Sequence, residues 1–126
     1  VAQLVALRPR EPLKLDPERI AGMYLALGEA RAGQMIAALL PLLGQDLGAL
    51  RAAADRGDRA GLARHARRVA RLAGAVGLTG VSLAAGGVAG AAEMADDTAI
   101  CATVQRLDRV AARSLALVRH LDEGAG

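Results

Sequence analysis

Gly57-Asp58-Arg59-Ala60-Gly61-Leu62-Ala63-Arg64-His65-Ala66-Arg67-Arg68-Val69-Ala70-Arg71-Leu72-Ala73 carries two patterns at once. Leu62, Ala66, Val69 and Ala73 recur at alternating intervals of four and three, which places them on one face of a helix. Arg64, Arg67, Arg68 and Arg71 fall on the opposite face. Ahead of them, Gly57 suits a positive φ after one helix, and Asp58 can cap the next. The stretch therefore reads as a sharp reversal followed by an amphipathic helix with an apolar inner stripe and four arginines outside.

Working outward, the same periodicity continues on both sides. Upstream, Ile36, Leu40, Leu43, Leu47, Leu50 and Ala54 form a stripe on a long helix from Ala30 to about Asp55, with Pro41 expected to kink it by removing one backbone donor. Before that, Asp16-Pro17-Glu18 supplies an N-cap, a first-turn proline and a first-turn acid for a short helix through Ile20, Met23, Tyr24 and Leu27, broken near Gly28. Downstream, Gly74 and Gly77 interrupt the chain. Val81, Ala84, Ala85, Val88 and Ala92 mark another helix, whose glycines 80, 86, 87 and 90 weaken it but suit close helix contact. After Asp96-Asp97-Thr98, a last helix carries Ile100, Val104, Leu107, Ala111, Val118 and Leu121.

The expected fold is all-α: an antiparallel four-helix bundle with a short additional N-terminal helix. Residues 1–15, with Pro9 and Pro12, read as an N-terminal arm, 16–122 as the bundle and 123–126 as a C-terminal tail. No GxGxxG turn after a strand, no Walker loop and no sustained two-residue alternation supports a nucleotide-binding α/β fold.

Composition narrows the function classes. The 126 residues suffice for one domain, and hydrophobic residues are 53% of them, yet Tyr24 is the sole aromatic, so the core is made of Ala, Leu and Val. Cys101 has no second cysteine for a disulfide or a structural zinc site, and its expected place is a buried structural one. Charged residues interrupt the apolar stretches before a membrane span is reached, and no secretory pattern opens the chain, so the expectation is a cytoplasmic protein with no membrane insertion. A net charge of +3 suits an acidic partner and is small for a nucleic-acid binder. Glu18, Glu29 and Glu93 are scattered, and no nucleophile, base and orienting acid come together, so hydrolytic or redox catalysis ranks last.

The run from Gly57 to Arg67 resembles the approach to the phosphorylation motif of the histidine-containing phosphotransfer (HPt) family, which writes Gly-Asp, several residues, then Ala-His-x-x-Lys-Gly. Gly77-Leu78-Thr79-Gly80-Val81 resembles the family's Leu-Gly-x-x-x-Leu entry into the following helix, and Leu15-Asp16 its opening Leu-Asp. The similarity covers roughly Leu15 to Leu121. It implies a four-helix phosphorelay module without cofactor or metal, whose partners are response-regulator receiver domains and histidine kinases. The aligned phosphoacceptor position holds Arg67, and the family's Lys and Gly fall on Ala70 and Arg71.

A guanidinium stays protonated and is scarcely nucleophilic, so Arg67 cannot accept phosphate as an imidazole does. The resemblance therefore implies a docking protein that has lost phosphate transfer, with Arg64, Arg67, Arg68 and Arg71 as the partner-binding residues. Two alternatives remain: a displaced phosphoacceptor at His65, turned about 200° around the helix from Arg67, and nucleic-acid binding by the arginine face. His120, near the end of the last helix, is explained by its interaction with the helix dipole.

Overall fold

The computed structural model describes residues 16–125, all of its regular structure helical. The helices are α1 (Pro17–Leu27), α2 (Glu29–Arg56), α3 (Arg59–Ala75), α4 (Thr79–Glu93) and α5 (Asp97–Ala125). The expected arm, 1–15, lies outside the described residues. The last helix runs to Ala125, past the expected boundary at 122 and into the expected tail.

Local chemistry explains most boundaries. The Asp16 carboxylate accepts from the Arg19 amide at 3.0 Å and caps α1. Gly28, at φ 78°, ends α1 with its N–H on the Tyr24 carbonyl and leads directly into α2. Helix α2 continues through Pro41, and both Pro41 and Ala37 are exposed, so the carbonyl that loses its donor is open to water. Gly57 takes the left-handed conformation at φ 70°, and Asp58 Oδ1 accepts from the Gly61 amide at 2.9 Å. At the α4–α5 turn the left-handed residue is Ala95, φ 53°, and Asp96 caps α5 through the Ala99 amide.

Helix α3 packs on α2 and α4, α4 on α5, and α5 returns to touch α2, while α1 packs on α2. The core lies inside this ring. Leu62, Ala66, Val69 and Ala73 are all buried, as are Val81, Ala84, Ala85, Val88 and Ala92. They meet Leu43, Leu47 and Leu50 of α2 and Leu107 and Ala111 of α5. Burying a leucine or valine contributes roughly 1.5–3 kcal/mol, and with no large aromatic available the core gains this in many small increments. The N-terminal end is tied on by backbone: Asp16 N–H donates to the Gly77 carbonyl at 2.8 Å, and Arg19 Nε to the Gly74 carbonyl at 2.8 Å.

Two further expectations change. Cys101 is exposed rather than buried, because it lies one residue beyond Ile100 and so about 100° around the helix from the inner stripe. Helix α2 does reach the length and apolar composition of a membrane span, though weakly. In mid-helix it carries Asp46, which is ion-paired to α3.

Candidate docking face

Arg64, Arg67, Arg68 and Arg71 of α3 are all exposed, and the structure separates them by their companions. Arg68 Nε sits 2.9 Å from Asp46 Oδ2, reaching back to α2. Arg67 reaches the other way and donates to Glu93 at the end of α4. Arg71 has no ion pair among the described residues. Arg64 acts at longer range: together with the closer Arg56, it favours the charged form of Asp58. The hydrogen bond from the Gly61 amide is the larger cause holding that carboxyl below its ordinary value, against a smaller opposing effect of burial.

His65 is half-buried at the edge of the inner stripe, with Nδ1 3.8 Å from Asp46 Oδ1. Asp46 therefore faces both His65 and Arg68 from the neighbouring helix, with its side chain only 12% exposed. This acid was not among the expected site residues, although a signal was present: it stands three residues after Leu43 and four before Leu50, on the apolar stripe itself. Glu93 was also passed over. Its role depends on the end of α4 lying beside the middle of α3, which no local pattern reveals.

Arg67, in the middle of α3, is thus an exposed guanidinium held by an acid of the same chain. Ala70 is half-buried, and its carbonyl accepts from Ser82 Oγ at 2.9 Å, tying α3 to α4. Arg59, at the start of α3, pairs with Asp97 at the start of α5 at 2.9 Å, and Arg51 of α2 pairs with Asp108 of α5 at 2.7 Å. No cluster of His, Cys, Asp or Glu able to hold a metal occurs among the described residues.

An apolar cavity of about 80 Å³ lies elsewhere, lined by Ile20, Tyr24, Ile36, Leu72 and Val118 among others. Among the described residues its lining offers no acid, base or nucleophile beyond the Tyr24 phenol. The chemistry available at the α3 face is charge-assisted hydrogen bonding to anions, with one imidazole set back from it. Comparison with protein-family models, with curated proteins and with solved structures matched nothing to this chain.

Proposed function

We propose that the chain is an HPt-like four-helix bundle with a short additional N-terminal helix, acting in the cytoplasm as a docking module for a response-regulator receiver domain or a histidine kinase without carrying phosphate itself. The observation that carries this reading is Arg67: the position aligned with the phosphoacceptor is exposed in the middle of α3, and it holds a cation that cannot attack phosphorus. Arg64 and Arg71, one helical turn to either side, extend the same positive face. An acidic recess on a receiver is the complementary surface.

The test is incubation with a panel of phosphorylated receivers and kinases, following complex formation and label transfer together. Selective binding without label on this chain supports the proposal. Arg67→Glu should leave helicity unchanged and weaken that complex; an unchanged affinity removes Arg67 from the interface.

One observation favours a second reading, in which His65 accepts phosphate. Asp46 Oδ1 lies 3.8 Å from its Nδ1, so an acid stands beside one ring nitrogen and Nε2 would be the nitrogen that reacts. Label abolished by His65→Ala would establish that reading in place of the first. Nucleic-acid binding has less support, because a net charge of +3 is small for a binder of the phosphate backbone. Strongly salt-dependent affinity for unrelated duplexes would reverse that ranking.

A further inference from the structure

We infer that the arginine face combines one fixed cation with one exchangeable cation, and that the partner is recognised by an acidic group that takes the place of Glu93 on Arg67. The inference rests on the docking reading above and specifies its chemistry.

Arg67 and Arg68 are adjacent in sequence but unequal in commitment. The acid that holds Arg68 is Asp46, whose side chain is largely withdrawn from water and faces His65 as well. A partner that captured Arg68 would leave that carboxylate short of a counter-charge in a poorly solvated place, which is expensive. Glu93 is different. Its side chain is 57% exposed and that of Arg67 is 52% exposed, so both ends of this pair remain in water. An ion pair of that kind is weak, and Glu93 returns to solvent at little cost when another anion arrives.

Glu93 is therefore a built-in competitor. It holds the Arg67 guanidinium at the α4 edge of the face and must be displaced for docking to proceed. Arg64 and Arg71 stand three residues before and four residues after Arg67, so neighbouring charges along this line are about 5–6 Å apart at their Cβ atoms. The face fits an acidic protein surface that presents one carboxylate or phosphate to Arg67 and further acidic groups about one helical turn to either side.

A double-mutant cycle tests the exchange. The probes are a hexa-aspartate peptide and the receiver panel; the proteins are the parent chain, Glu93→Gln, Arg67→Gln and the double variant. Loss of the competitor in Glu93→Gln should tighten binding about two- to fivefold, the scale of an exposed ion pair. Arg67→Gln should weaken binding, and in that background the gain from Glu93→Gln should vanish. An equal gain in both backgrounds overturns the inference, because the effect would then be a general loss of negative charge. No gain with binding intact overturns it as well.

A readout on the free protein separates this failure from failure of the docking reading. The Arg67 Nε–Hε resonance should shift and sharpen in Glu93→Gln. If it does so and no variant binds any acidic probe, the docking reading falls and the exchange falls with it. If the resonance is unchanged, Glu93 does not hold Arg67 and the exchange alone is overturned.

Discussion

Helices α3 and α4 meet through alanines and valines that are buried almost without remainder, whereas α1 meets the first half of α2 through leucine, isoleucine, methionine and tyrosine side chains that stay half-exposed. The first junction uses the smaller residues and is the better packed. Small side chains let two helix surfaces interlock, while the larger ones at the α1 junction surround a cavity and leave Leu25, Leu27 and Leu42 in contact with water. Apolar mass in the sequence is thus a poor guide to where the protein is rigid. The arginine face is built on the tight junction, which gives its cations a firm platform.

The largest test of this contrast is leucine truncation. Leu62→Ala should cost about 2–5 kcal/mol by denaturant unfolding, because the residue is fully buried in the core, whereas Leu25→Ala on α1 should change stability by less than about 0.5 kcal/mol. Equal costs would end the distinction. Adding volume should have opposite effects in the two regions. Val69→Leu overfills a closed site and should cost about 1–3 kcal/mol. Val118→Leu extends into the cavity and should be neutral or raise the melting temperature slightly.

Two glycines sharpen the comparison. Gly86 is exposed within α4 and a Cβ there meets nothing within 4 Å, so Gly86→Ala should stabilise by about 0.5–1 kcal/mol. It is not a close-contact glycine; the alanines of α4 provide the contact. Gly77, where α1 leans on the α3–α4 turn, has φ 79°, and an added Cβ would lie 2.8 Å from Ile20. Gly77→Ala should destabilise by about 1 kcal/mol or more.

The smallest effect concerns acid. The Asp58 carboxyl has a lower pKa folded than unfolded, so its cap is fully stabilising above the ordinary aspartate range and is lost as pH falls through the folded value. Melting temperatures followed from pH 6 down to about pH 3 should fall more steeply for the parent chain than for Asp58→Asn, which caps without ionising. Parallel curves would show that the cap's charge adds no stability.

Much of the helical layout was legible because it is local. Asp16, Gly28, Gly57 and Asp58 end and begin helices through groups within four residues of themselves. The stripe of Leu62, Ala66, Val69 and Ala73 is buried as its spacing indicates, since a helix turns regularly whatever surrounds it. The same periodicity put Arg67 on the outer face of that helix, where it is exposed. Local reasoning failed where a residue departs from the usual habit of its type. Ala95 takes a left-handed turn that glycine usually occupies, and Cys101 faces water. Asp46 is an acid on the buried stripe.

The sequence by itself determined the helices, their inner faces and the gathering of four arginines on one side of α3. The tertiary structure decided what those arginines are worth. Whether a guanidinium is committed or available depends on the acid beside it and on how much water that acid retains. Asp46 comes from α2 and is shielded by the helix contact; Glu93 comes from the end of α4 and remains solvated. Ion-pair strength depends on distance and dielectric between groups far apart in the chain, and those quantities exist only once the helices have packed.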